Sequence, residues 1–425
     1  MGRAATRRLV VLSMLVAPII ALAPDRALAV PANLSPNGQF DFTYGSTVKV
    51  GGPGTAYKPE SKLFFTGDGV DEPLRWWGVL GTSGPTPDPG LWLWELVDHV
   101  WTARIQLPGA DPWAKADTVY EAGTLFVSTR DNKGSVTGNP RESDLYEIPY
   151  LGAGAWGPVS GPYRITTASP EVLTIARDSL GRIWASYEGG TKIKVGYTAP
   201  LGTSFTFVTV SRSNVATDDV SAITAFAGTR IGVFWSDQQT KQDFFAWRSD
   251  LAPVTDPWTV ETAFGGGVGG CPTATSDLCA DDHMNVKVYQ DQVYVAVKTS
   301  LNDVSPTPTD PQIELLRRTG DGTWSAFQVS PVSQLATRPI VVLSPEQDAI
   351  WVWATRGNEV DVWQSSFTVP SFDSAAYVPW IKVPRLSVSD ATSTKQVATS
   401  STGVVVEASG AGKYQYWHNE FPPSG

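Results

Sequence analysis

A two-strand phrase recurs seven times along the chain and restricts the possible folds more than any other feature. Five copies align almost without gaps, at 169–190, 217–238, 280–303, 337–359 and 393–410, and two looser copies precede them at 59–82 and 115–132. Each opens on polar residues, runs through an apolar strand, turns, and returns through a second apolar strand. Anchored on Glu60, Asp117, Glu171, Asp219, Asp282, Arg338 and Lys395, the copies are 57, 54, 48, 63, 56 and 57 residues apart. Helical periodicity is absent. The apolar runs, such as RIWASY (182–187), VYVAVKT (293–299) and IWVWAT (350–355), are rich in β-branched and aromatic residues and bounded by turn residues. A repeat of this length, built only of strands, buries its faces by stacking copies around an axis, so the copies read as blades of an all-β, seven-bladed β-propeller. The last copy leaves room for only about three strands before the C-terminus. A strand between Gly38 and Val50 is therefore expected to complete and close that blade. A multi-domain β-sandwich is the alternative and explains the single long repeat less well.

Residues 1–29 have the layout of a secretory signal: Arg3, Arg7 and Arg8, an apolar run from Leu9 to Ala23 interrupted by Pro18, and Ala27-Leu28-Ala29 as a cleavage site. Residues 30–425 then form one propeller domain in a secreted, extracellular protein, with Sec export favoured over Tat. Removing a leader with four Arg and one Asp takes the formal charge from −10 to −13. That acidity disfavours nucleic acid and anionic lipid as partners. No later stretch is long or apolar enough to span a membrane, and a monomer is expected. Cys271 and Cys279 are the two cysteines. In an oxidising compartment an isolated pair is most simply a disulfide, here closing a small loop. A two-Cys metal site finds only His283 nearby.

In a propeller, the loops entering each first strand and leaving each second strand share one face. The repeat therefore brings together Glu60, Lys115, Asp117, Glu171, Asp219, Asp282, His283, Arg338 and Lys395 with Arg130, Tyr187, Glu188, Lys298, Arg356 and Glu407. Convergent acids and bases in a concave site point to binding or catalysis; solvated strand ends and surface ion pairs are the competing reading. The sharpest local feature is Asp281-Asp282-His283, directly after the loop the cysteines would staple. Paired carboxylates beside an imidazole suit proton transfer, and equally an Asp can tie down the turn. No cofactor is expected; Asp218, Asp219, Asp281 and Asp282, from adjacent blades, are the oxygen-rich set that would suit Ca²⁺, and no DxDxDG-type loop accompanies them. No nucleotide, zinc-protease or serine-hydrolase motif is present.

Gly320-Asp321-Gly322-Thr323-Trp324 and Asp178-Ser179-Leu180-Gly181-Arg182-Ile183-Trp184 resemble the Asp-box turns of secreted bacterial propellers of the sialidase-like, BNR-repeat kind, the former one residue short between Asp and Trp. The resemblance covers the whole chain in architecture. It implies three site arginines, for which Arg130, Arg338 and Arg356 are the candidates, a Tyr/Glu pair at Tyr187 and Glu188, and an acid at Asp219 or Asp282. The expected function is a carbohydrate-active enzyme, glycosidase or uronate lyase, acting on an extracellular glycan at the channel mouth. A glycosidase would draw its two carboxylates from Asp219, Asp282, Glu171 and Glu188. A lyase would use His283 or Tyr187 for proton transfer, with Arg338 or Lys395 neutralising a substrate carboxylate and Arg130, Arg356 and Lys298 completing the binding rim. The alternative is a non-catalytic propeller that binds a glycan or protein on the same rim.

Overall fold

The chain forms a seven-bladed β-propeller in the computed structural model, which describes residues 38–43, 54–57, 59–69, 71–84, 87–130, 142–168, 170–210, 215–268, 279–303, 307–410 and 415–421. The expected leader and Cys271 lie outside the described residues. Among the described residues, apart from two short 3-10 turns, the regular structure is strand. From the axis outward, blade 1 comprises Leu63–Thr66, Arg75–Thr82, Gly90–Val97 and Val100–Gln106. Blade 2 comprises Lys115–Glu121, Thr124–Arg130, Ser143–Gly152 and Ser160–Thr166, with Ala155–Trp156 added beside its third strand. Blade 3 is Leu173–Arg177, Ile183–Glu188, Ile193–Tyr197 and Thr206–Thr209. Blade 4 is Ser221–Phe226, Arg230–Asp237, Gln242–Ser249 and Thr259–Phe264. Blade 5 is Met284–Tyr289, Gln292–Lys298, Pro311–Arg318 and Trp324–Pro331. Blade 6 is Ala336–Ser344, Ala349–Arg356, Glu359–Ser366 and Val378–Ile381.

Blade 7 closes the ring. Its first three strands, Val388–Thr392, Val404–Gly410 and Gln415–Phe421, come from the C-terminal end of the chain, and its outermost strand is Gln39–Thr43. That strand pairs antiparallel with the third, Gln39 opposite His418 and Phe40 opposite Trp417. Second strands lie between blades on both faces and lose the period-2 alternation of a half-exposed strand: Val293 through Lys298 are all buried. Trp77, Trp184, Trp235, Trp351, Trp353, Trp363 and Trp380 are fully buried, so much of the tryptophan content is packing between sheets.

The innermost strands leave one edge of backbone N–H groups facing the axis, and these need partners. Side chains of the neighbouring blade supply them. Asp117 Oδ2 accepts from the Ile175 N–H at 2.8 Å, Thr174 Oγ1 from Ile223 at 3.0 Å, Asn285 Oδ1 from Val341 at 3.3 Å, and Thr392 Oγ1 from Lys62 at 3.1 Å. The structurally equivalent positions of blades 2, 3 and 5 are thus Asp117, Thr174 and Asn285. The sequence alignment paired Asp117 with Glu171 and Asp282 and was three residues out of phase.

Candidate functional site

Several polar residues at the first-strand starts turn out to hold the ring together. Asp117 is fully buried. Besides Ile175 it accepts from the Ser61 N–H at 2.8 Å, and Lys395 Nζ rests on it while also donating to the Ile175 carbonyl at 2.8 Å. Burial raises the pKa of this carboxyl against the pull of Lys395. Asp219 is also fully buried. Its oxygens accept from the Ala216 N–H at 2.7 Å, the Gln238 N–H at 3.1 Å and Ser236 Oγ at 3.1 Å. Asp219, expected as a candidate acid on the rim, is thus buried and clasps a turn.

The upper mouth of the channel, the face carrying the first-strand starts, is crossed by the segment that leads into blade 1. Thr55 donates its N–H to Ser409 Oγ of blade 7 at 2.8 Å. Tyr57 packs against the apolar cluster containing Val172, Val220 and Met284, from the starts of blades 3, 4 and 5. Arg130 of blade 2 lies over the Tyr57 ring at 4.6 Å and bonds through Nε to Glu60 Oε1 at 3.2 Å; Glu60 also holds Lys62 Nζ at 3.0 Å. Tyr57 is thus the hub of this face. Burial raises the pKa of its phenol, opposed by the positive charge of Arg130, so the hydroxyl stays protonated at neutral pH.

Between Tyr57 and blades 6 and 7 lies a cavity of about 500 Å³, lined by Tyr57, Thr337, Arg338, Thr355, Ser389 and Asp390 among others. Arg338 Nε and Asp390 Oδ1 face each other across it at 3.2 Å. Each sits at an irregularity in the first strand of its blade, where pairing skips between Thr337 and Ile340 and between Ser389 and Thr392. Each also has a left-handed backbone, φ 56° and φ 58°. Non-glycine residues pay for this conformation, and such outliers cluster where function constrains the backbone. Arg338 was expected on this rim. Tyr57 and Asp390 were not: one lies in the Gly/Pro-bounded stretch before the first repeat, the other just before the last. The only signal for Asp390 in the sequence is an acid just before the polar opening of the last phrase at Ser393.

The Asp281-Asp282-His283 cluster occupies the start of blade 5. His283 Nδ1 contacts Asp281 and lies 2.5 Å from Asp282 Oδ1. Asp281 also receives Lys298 Nζ and, at 3.1 Å, Ser300 Oγ. His283 Nε2 is buried and has no hydrogen-bond partner. An imidazole held through one nitrogen, with the other unengaged, has the arrangement of an oriented base. These three residues also offer ligand atoms within 4.8 Å of one another; Asp218 and Asp219 are not part of that group, so the four-aspartate set expected for Ca²⁺ does not assemble. Cys279 is fully buried nearby.

Tyr187 and Arg356 are engaged away from the cavity, whereas Glu188 stays beside Asp219 and Glu171. Tyr187 is buried in the apolar cluster between blades 2 and 3, its hydroxyl 3.1 Å from Thr166 Oγ1; the strand presents it to the blade interface and away from the rim. Arg356 is turned outward along its own blade, contacting Asp361, bonded to Glu359 at 2.8 Å, and lying over the Tyr377 ring at 4.2 Å. The three-arginine constellation implied by the sialidase resemblance is therefore not assembled. Glu188 is half-buried, with Oε1 lacking a partner; burial, reinforced by Asp219 and Glu171, pushes its pKa to about 7. Below the crossing segment, a second cavity of about 250 Å³ follows the axis between the inner strands of blades 2 to 5, lined in part by Pro59, Lys287 and Lys395. Burial pushes Lys287, and Lys115 near Glu60, down to about 7.

The sequence matches no family model and no curated protein. Among solved structures it is similar to the polysaccharide lyase Uly1, at 11% identity over 92% of this chain and 98% of that one, with a TM-score of 0.50. It is also similar to an α-L-arabinanase of Penicillium chrysogenum complexed with arabinobiose, at 11% identity over 79% and 100% of the two chains, with a TM-score of 0.43. At such identities the likeness is one of fold.

Proposed function

We propose that this chain is an exported, carbohydrate-active propeller that takes an acidic glycan on its upper face and cleaves it by β-elimination. The observation that carries the reading is the cavity in which Arg338 and Asp390, both held in left-handed backbone, face the protonated phenol of Tyr57. A guanidinium suits bidentate recognition of a uronate carboxylate. Drawing that charge onto Arg338 acidifies the hydrogen on the adjacent carbon. His283, held by Asp281 and Asp282 at the start of blade 5 and not among the residues lining the cavity, takes that proton once its buried Nε2 is turned toward the substrate, and the Tyr57 hydroxyl supplies one to the departing glycosidic oxygen. Arg130 beneath the ring eases that transfer by stabilising phenolate. A polysaccharide lyase of the same fold is consistent with this use of a propeller, but the chemistry is argued from the pocket.

One observation favours hydrolysis instead: a carboxyl with a pKa near 7, such as Glu188, suits a proton donor. Purified protein incubated with polyuronates and with neutral glycans separates the cases. Absorbance of unsaturated uronate ends is expected, lost in Tyr57→Phe and His283→Gln with polymer binding retained. Reducing ends without unsaturation would move the chemistry to Glu188. Binding without turnover would make the protein a glycan-binding scaffold and sink the lyase reading.

A further inference from the structure

A second cluster lies away from the mouth, at the closure of the ring. Asp41 is on the outermost strand of blade 7, His418 on the third and Glu407 on the second. Their side chains are fully buried, and each offers a ligand atom within 4.8 Å of the others. Three carboxylates meet here with few donors. Asp41 Oδ1 contacts His418 Nδ1. Glu407 Oε2 accepts from Trp101 Nε1 of blade 1 at 2.9 Å. Glu420 Oε1 lies 2.9 Å from His418 Nε2 and 3.0 Å from His99 Nδ1. Asp41 Oδ2 and Glu407 Oε1 are buried and orphaned of N–H and O–H donors, and the two carboxyls meet each other. Two carboxylates in contact away from water repel, and either a shared proton or a cation between them removes the cost.

We propose that Asp41, Glu407 and His418 form a zinc site that pins the N-terminal strand into blade 7. The ligand types decide the metal: one imidazole and two carboxylates with a water suit Zn²⁺, whereas Ca²⁺ needs six to eight oxygens. Ligands at zinc bond lengths stand about 3.3 Å apart, so the group closes on an ion with small side-chain movements. The surroundings also match. A metal-bound histidine commonly donates its second nitrogen to a carboxylate, which fixes the ring; Glu420 stands in that place at His418 Nε2, leaving Nδ1 toward Asp41. Trp101 orients Glu407 through the oxygen that is not orphaned.

The test uses the full chain as purified, loaded with zinc and freed of excess by gel filtration. About one zinc per chain is expected by mass spectrometry of the metal, and chelation should lower the thermal midpoint, with zinc restoring it. Glu407→Gln keeps the volume, removes a ligand and should release the metal. Glu420→Gln keeps all three ligands and should weaken zinc binding about 10–100-fold. If Glu407→Gln fails to fold, Asp41→Asn, at the edge of the blade, replaces it. The proposal is overturned if wild type retains no zinc, if both ligand-site variants retain it, or if zinc leaves with His283→Gln instead, which would put the ion at the blade 5 cluster.

Discussion

Replacing Arg338 by glycine should weaken uronate binding sharply and leave the fold as stable as before or slightly more so. The balance follows from the backbone. A non-glycine residue in left-handed conformation costs about 1–2 kcal/mol, and Arg338 stands at φ 56°; glycine removes that cost. Against it, glycine adds about 0.5–1 kcal/mol of chain entropy lost on folding. The ion pair to Asp390 is 3.2 Å long and the arginine side chain is 38% exposed, so its loss costs about 0–1 kcal/mol. The sum lies between about 1 kcal/mol of loss and about 1.5 kcal/mol of gain. Binding behaves differently: a charge-assisted contact to a substrate carboxylate contributes about 1.5–3 kcal/mol, or roughly 10–150-fold in affinity. Urea denaturation and calorimetric titration with an oligouronate measure the two halves on the same preparation. A loss of 2 kcal/mol or more of stability with affinity unchanged, a bound set by the same balance, would show that Arg338 is a clasp for Asp390 and that the strained backbone serves the fold.

Two further outcomes test the ring itself. Asp117→Ala strands the Ser61 and Ile175 N–H groups and the Lys395 ammonium, and should cost about 3–5 kcal/mol in urea denaturation; a cost under about 1 kcal/mol would mean water replaces the carboxylate freely. Lys287 and Lys115 have folded pKa values pushed down to about 7, below the unfolded value, so between pH 7 and about 10 the unfolded chain binds more protons. Stability should therefore rise with pH across that window, at most about 1.4 kcal/mol per unit per lysine, and be flat with respect to these groups below pH 7. Lys287→Met should flatten the slope; an unchanged slope in the variant would show that Lys287 does not titrate there.

The fold was legible because its signal is redundant. Seven phrases state one blade each, and the shortage of strands from the last phrase to the C-terminus called for an N-terminal partner, found at Gln39–Thr43. The site was legible only in part, for two physical reasons. Blades bury both faces of their second strands, so a run such as Ile183–Glu188 carries no alternation to say which side chain points where, and Tyr187 could not be told from a rim residue. Polar residues at the first-strand starts answer two demands at once, satisfying inner-edge N–H groups and meeting solvent or substrate. Asp117 serves the first, Asp219 ties down a turn, Arg338 meets solvent, and residue type alone does not separate them. Tyr57 belongs to no repeat, and a reading built on the repeat passes over it.

The stretch of chain that carries Tyr57 has a mechanical consequence. In sequence it joins the outer strand of blade 7, ending at Thr43, to the inner strand of blade 1, beginning at Leu63, so the latch of the ring and Tyr57 belong to one continuous stretch. Thr55, bonded to Ser409, is the point where that stretch is made fast. A molecule whose latch has not yet engaged has no fixed position for its phenol, and so presents no finished pocket to a polymer. On the proposed function, closing the ring of blades and fixing the pocket's phenol are then a single event.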